Sequence, residues 1–170
     1  VYVGRKTLEE LMTEENADKM INHGLSIVFP DVRVKNYIEI RTPDNVPYPY
    51  NMAALALIKG IFFVEETFDK VCKIFADMDY EKAQKLKNNS SRMGIFALYK
   101  NHEIYEYILE IIDIIRPVLD KEENKFLDEL ESMLDFGIVP RDIFAKIYKE
   151  DPKRAVYEFS VNRFVEAIDG

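Results

Sequence analysis

The alternation of polar and apolar positions is clearest between Val32 and Arg41. Arg33, Lys35, Tyr37, Glu39 and Arg41 fall on one side of an extended chain, and Val32, Val34, Ile38 and Ile40 on the other. A helix would scatter these positions around its circumference, and β-branched residues at the apolar sites favour a strand. One face is therefore expected to pack on a core while the other carries an acid between bases. Two forms satisfy the pattern. The run is either one strand or a hairpin with a tight turn at Lys35-Asn36, which keeps Tyr37, Glu39 and Arg41 together and leaves the side taken by Arg33 open.

Elsewhere the apolar positions recur with helical spacing. Thr7 and Glu10 form a capping-box pattern over Thr7 to Met12. A short helix is expected over 14–22, ended by His23-Gly24. Pro43, Pro47 and Pro49 enforce an extended loop, after which Asn51 caps a helix over Met52 to Lys59 that is apolar all round and should be buried, with Gly60 as its stop. Helix resumes over Ile61 to Phe75, and Asp79 caps another over Tyr80 to Leu86. Lys87 to Arg92 reads as a polar break, and Met93 to Tyr99 fits a short strand or a further helical turn. From His102 an isoleucine-lined helix runs to Arg116-Pro117, and Asp120 opens one that Gly137 closes. Arg141 to Lys149 follows, then Asp151-Pro152 starts a last helix over Ala155 to Ile168. The expected class is α+β, mainly helical with a short antiparallel strand region near the N-terminus. The chain is taken as a single domain over 1–170, with a strand-bearing part over 1–60 and a helical layer over 61–170.

Composition narrows the function. In 170 residues, 48% are hydrophobic and 32% charged, the balance of a globular domain with a proper core. The net charge of −8 argues against a nucleic-acid partner, and no apolar run reaches the roughly 20 residues of a membrane span. Cys72, flanked by Val71, Ile74 and Phe75, is expected to be a buried thiol. One cysteine and no recognisable signal peptide predict a cytoplasmic location. The chain opens on Val1 rather than methionine, and is expected to be a piece of a longer protein.

Several tempting motifs are better explained structurally. Asp135-Phe136-Gly137 spells a kinase metal triplet without the accompanying motifs, and reads as a helix end with its glycine cap. His23, His102 and Cys72 lack metal-ligand spacing. Glu122-Glu123 and the Glu129/Glu131 pair read as solvated helix faces. The strand remains. Its plain reading is the wet side of an antiparallel sheet, where cross-strand charge pairs are ordinary. Its sharper reading gives Glu39 a hard oxygen for Mg²⁺ and Arg41 a phosphate to grip, the two lying about 7 Å apart along the strand. Spacing alone does not choose between them.

The run Phe29-Pro30-Asp31-Val32-Arg33-Val34-Lys35-Asn36-Tyr37-Ile38-Glu39-Ile40-Arg41 resembles the signature F-P-[DE]-V-R-x-K-x-Y-[IL]-E-x-R of the plant and bacterial type of glutamate–cysteine ligase. That signature is followed by a short acidic loop, matched by Asp44, and an apolar helix ending in glycine, matched by Ala53 to Gly60. His23-Gly24-Leu25-Ser26 is similar to the family's approach to the strand, and Asp120 to Ile147 more distantly to its C-terminal helices.

The resemblance implies a carboxylate–amine ligase, similar to glutamine synthetase in building its active site on an antiparallel sheet. ATP would phosphorylate the γ-carboxylate of glutamate, and the cysteine amine would attack the acyl phosphate to give γ-glutamylcysteine, the first step of glutathione biosynthesis. By position Glu39 matches the metal-binding acid for Mg²⁺ and Arg41 the catalytic, phosphate-binding arginine. Arg33, Lys35 and Tyr37 match further substrate- or ATP-binding positions. The family's other metal-binding acids precede this region, and nothing in Val1 to Gly24 resembles them. The chain is therefore expected to be the C-terminal part, partnered by the N-terminal part of the same polypeptide and inactive alone. Two other readings are a ligase for a different amine and a non-catalytic helical interaction module.

Overall fold

The computed structural model describes residues 4–43 and 45–160. It is mainly helical with a short antiparallel strand pair near the N-terminus, as the sequence predicts, and the described residues add a second such pair. Its contacts divide the chain into two compact units, Val1–Pro43 and Asp44–Gly170.

The first unit holds α1 (Leu8–Leu11), α2 (Ala17–Ile27), β1 (Val32–Val34) and β2 (Ile38–Ile40). The capping box at the start of α1 is present: Glu10 N donates to Thr7 Oγ1 and Thr7 N to Glu10 Oε2. Helix α2 runs through Gly24 instead of stopping there. Gly24 has a different task, since a Cβ at that position would lie 2.8 Å from Leu8 Cδ2. It lets α2 approach α1 closely.

The strands form a hairpin with Val32 opposite Ile40, Arg33 opposite Glu39 and Val34 opposite Ile38. Lys35, Asn36 and Tyr37 make the turn, with Lys35 N donating to the Tyr37 carbonyl at 2.8 Å. Of the two forms the sequence allowed, the hairpin is the one present. The expectation that the apolar face packs on a core fails: Val32, Val34 and Ile38 are exposed, and Arg33 on the opposite face is mostly covered. Alternation identifies two faces, but it says nothing about which of them the rest of this chain covers.

The second unit holds α3 (Tyr50–Phe62), α4 (Glu65–Ile74), α5 (Tyr80–Met93), a 3₁₀ turn at Gly94–Phe96, β3 (Leu98–Tyr99), β4 (His102–Glu103), α6 (Ile104–Ile115), α7 (Lys121–Phe136), α8 (Pro140–Glu150) and α9 (Pro152–Glu158). A 3₁₀ turn also follows α6 at Arg116–Val118. The buried cluster comprises Ala56, Ile112, Ile115, Leu119, Leu127 and Leu134, contributed mainly by α3, α6 and α7.

Gly60 is not a helix stop. It lies buried inside α3, where a Cβ would sit 2.7 Å from Ile115 Cβ, so the missing side chain allows α3 to reach α6. The break falls later, at Phe63-Val64, and the buried Thr67 hydroxyl donates to the Gly60 carbonyl at 2.5 Å. That bond satisfies an acceptor left over at the helix end. Helix α3 is also not buried all round, since Leu55 and Phe62 face outward.

The polar stretch Lys87 to Arg92 continues α5 instead of breaking it. Ser90 and Ser91 donate back to the Leu86 and Asn88 carbonyls, satisfying hydroxyls that would otherwise compete with the helix. Met93 to Tyr99 then combines both options the sequence allowed, a tight turn followed by a two-residue strand. Cys72 is exposed, contrary to expectation. Its neighbour Val71 takes the inward position, and one step of about 100° along α4 turns Cys72 out to solvent.

Helix α7 has the predicted ends. Asp120 and Glu123 form a reciprocal capping box, and Gly137 closes the helix with φ +63°. Asp135-Phe136-Gly137 is thus a helix terminus. Glu123 and Glu131 are more than a solvated face, because they pair with Lys59 and Arg116. The hydrogen bond from Lys59 holds the Glu123 carboxyl below its ordinary value. Asp151 accepts from Arg154 N and Pro152 opens α9, as the sequence predicts. The expected continuation of that helix beyond Ser160, and Asp44, lie outside the described residues.

The left-handed backbone at Gly137 yields a first test. A Cβ there would meet Phe96 Cζ at 3.1 Å in a conformation that L residues disfavour. Gly137→Ala is expected to lower the unfolding free energy by about 1 kcal/mol, and Gly137→Asn by less. Urea titration of the two variants would check the order.

Candidate functional site

The hairpin gathers the charged residues that the sequence singled out. Cross-strand pairing sets Arg33 directly opposite Glu39, and Arg41 follows Glu39 on the same face. Arg33 Nη1 lies 3.5 Å from Glu39 Oε2, Lys35 Nζ 3.6 Å from the same oxygen, and Arg41 Nε 3.8 Å from Oε1. One carboxylate thus stands inside three cations. Tyr37 joins at the edge, its hydroxyl accepting from Lys35 Nζ at 3.3 Å with the ammonium over its ring.

The pairs are loose, longer than the usual charge-assisted bond of about 2.7–2.9 Å. Arg33 Nε, Glu39 Oε2 and Arg41 Nη1 are buried and have no hydrogen-bond partner among the described residues. A native fold leaves few such atoms, and each raises the question of what completes it. Arg33 is anchored by Nη2, which donates to the Val28 carbonyl at 3.1 Å. Arg41 is anchored by its backbone N–H, which donates to the Asp31 carbonyl at 2.9 Å, and by stacking of its guanidinium over Phe29 at 4.8 Å from the ring centre. Both arginines are therefore held at one end with donors still unspent.

Beside the hairpin lies a cleft of about 350 Å³ lined by Arg33, Val34, Lys35 and Asn36 from the hairpin and by Asn22, Leu25 and Ser26 from α2. The helix residues and Phe29 were not among those singled out. Phe29 was legible as part of the motif, but its contact with Arg41 depends on how the chain bends between α2 and β1. Nothing in the spacing linked α2 to the strands.

The two cofactor expectations fare differently against these side chains. The unspent arginine donors suit the oxygens of a phosphoryl group. A Mg²⁺ ion needs several oxygen ligands, and among the described residues no group of three or more His, Cys, Asp or Glu is arranged to hold a metal. Glu39 alone does not make a Mg²⁺ site.

No protein-family model matches the chain. Among curated proteins, glutamate–cysteine ligase A, chloroplastic, of Oryza sativa subsp. indica is 25% identical over 138 residues, covering 79% of this chain and 28% of that protein. The chloroplastic glutamate–cysteine ligase of Medicago truncatula is 25% identical over 130 residues, and that of Arabidopsis thaliana 22% over 130. This chain is similar to the plant glutamate–cysteine ligases. It spans about a quarter of the length of the curated relatives it matches. The likeness reaches well beyond the strand motif, since the aligned regions cover 75–79% of the chain. The expected cytoplasmic location is overturned, because these relatives are all named chloroplastic. A single cysteine excludes an internal disulfide in any compartment, so it held no information about location. Among the described residues no helix is long and apolar enough to cross a membrane.

Proposed function

We propose that this chain is the C-terminal portion of an ATP-dependent glutamate–cysteine ligase of glutathione biosynthesis, forming γ-glutamylcysteine through a γ-glutamyl phosphate. The observation that carries the reading is the ring of Arg33, Lys35 and Arg41 around Glu39, with unpartnered buried donors on both arginines. The reaction asks one anion, a carboxylate, to attack another, the terminal phosphate of ATP, and it proceeds only where the mounting negative charge is met. Arg41, stacked on Phe29, presents Nη1 to a phosphoryl oxygen. Arg33 presents Nε from across the strand pair. Lys35 and Tyr37 close the turn and bind the substrate or nucleotide at its rim.

Glu39 holds the three cations together while the site is empty of anion. Its role toward Mg²⁺ is at most that of one ligand among several. The others would come from the N-terminal part of the same polypeptide and from the nucleotide, and Mg²⁺ there would screen phosphate charge. The exposed Val32, Val34 and Ile38 support the same reading, since that apolar face is open to further strands of the polypeptide.

The test is ATP-dependent formation of γ-glutamylcysteine from glutamate and cysteine by the full polypeptide and by this chain, side by side. Product from the full polypeptide alone is expected. Product from this chain alone would overturn the C-terminal assignment. Turnover with another amine but not with cysteine would overturn the substrate while leaving the phosphoryl chemistry.

A further inference from the structure

A second cationic cleft, unrelated to the hairpin motif, lies in the second unit between α5 and the β3–β4 hairpin. It has a volume of about 420 Å³. Lys82, Lys85 and Asn89 line it from α5, at the i, i+3 and i+7 spacing that keeps them on one helix face. Lys100 enters from the opposite side, at the tip of the hairpin turn. Three lysines stand against two carboxylates, Asp77 in the lining and Asp79, which pairs with Lys82 at 3.3 Å, leaving a local excess of one positive charge in a chain of net charge −8.

The cations are positioned rather than merely adjacent. Lys100 Nζ sits 2.7 Å from Asp77 Oδ1, and the Tyr99 hydroxyl donates to the same oxygen at 2.9 Å. Lys82 Nζ donates to the Asp77 carbonyl at 2.5 Å. Asp77 thereby fixes two lysines on opposite walls. Its hydrogen bond holds the Lys100 amine above the ordinary lysine value, so the group stays charged. Lys100 has φ +54°, the one non-glycine residue with positive φ among those described. A turn position that glycine fills without cost is instead given to a residue that adds a charge to the cleft. Lys85 makes no hydrogen bond or ion pair among the described residues, so one cation on the rim is left unspent. Leu86 and Leu98 supply the apolar part of the wall.

We propose that this cleft binds a small multivalent oxyanion of the phosphate or polyphosphate class, at a site separate from the hairpin. Lysines act as point charges and need no bidentate geometry, which suits a compact, freely rotating anion better than a planar carboxylate. Because the site uses no residue of the β1–β2 hairpin, it stands or falls independently of the ligase reading.

The experiment is a calorimetric titration of the full chain with inorganic pyrophosphate, paired with acetylation of lysines read by mass spectrometry. Saturable binding is expected, with Lys82, Lys85 and Lys100 protected from acetylation. Lys85→Gln should weaken it roughly tenfold, the scale of one charge-assisted contact. Its unfolding curve should not move, as Lys85 has no partner to lose. Lys100→Gly, which keeps the turn, should weaken it comparably. No saturable binding, binding unchanged in Lys85→Gln, or protection confined to Lys35 in the hairpin would each overturn the proposal.

Discussion

Replacing Arg41 by alanine in the full polypeptide is expected to lower kcat for ATP-dependent ligation roughly 10²-fold, the usual scale for a group that meets charge developing in the transition state. Arg41 combines three properties that make it the strongest candidate. Its backbone is pinned to Asp31, its guanidinium is stacked on Phe29, and Nη1 is buried without a partner. Arg41→Lys keeps the charge but loses the planar stack and the fork of donors, so partial activity is expected. Glu39→Gln should cost a similar factor by a different route. Replacing the carboxylate by a neutral amide leaves Arg33, Lys35 and Arg41 without the negative charge that holds them together. Steady-state kinetics with ATP varied would separate the two: loss in kcat marks a transition-state role, whereas loss confined to KM marks ground-state binding. Full activity in both variants would remove the hairpin from the chemistry and favour a helical module with no catalytic part.

The residues of this site were legible because strand alternation is a strict geometric rule, and because the motif names them in order. Their grouping was only partly legible. A hairpin turn at Lys35 to Tyr37 brings Arg33 across from Glu39, whereas a single strand would have held the two about 20 Å apart in chain direction. Which face is covered was not legible at all: the Arg33 side chain is 13% exposed, while Val34 beside it is 72% exposed.

Helix ends written in local chemistry were read well, as at Asp120, Gly137 and Asp151-Pro152. Gly24 and Gly60 are not the stops their local sequence predicts, because glycine has two uses, and the second depends on a partner distant in sequence. Leu8 lies against Gly24 and Ile115 against Gly60. The outward turn of Cys72 has the same origin, since a mixed helix face is resolved only by what packs on it.

The same distinction sets the largest stability effect. Leu55 lies in the helix that the apolar pattern predicts to be buried, yet it is 58% exposed, whereas Leu127 on α7 is completely buried. Leu127→Ala is expected to lower the unfolding free energy by about 3 kcal/mol, combining lost burial with the cavity left behind. Leu127 sits in the cluster joining α3, α6 and α7, where Ile112 and Ile115 are equally inaccessible to solvent. Two buried isoleucines constrained by their own β-branches give that cavity little freedom to collapse. Leu55→Ala removes the same atoms from a site already open to water, and should cost no more than about 0.5 kcal/mol. Denaturant titration of the two variants, compared at equal slope, isolates burial from chemistry because the substitution is identical. Equal losses would mean that the outward side of α3 is covered in solution, and would return Leu55 to the core that its sequence pattern first suggested.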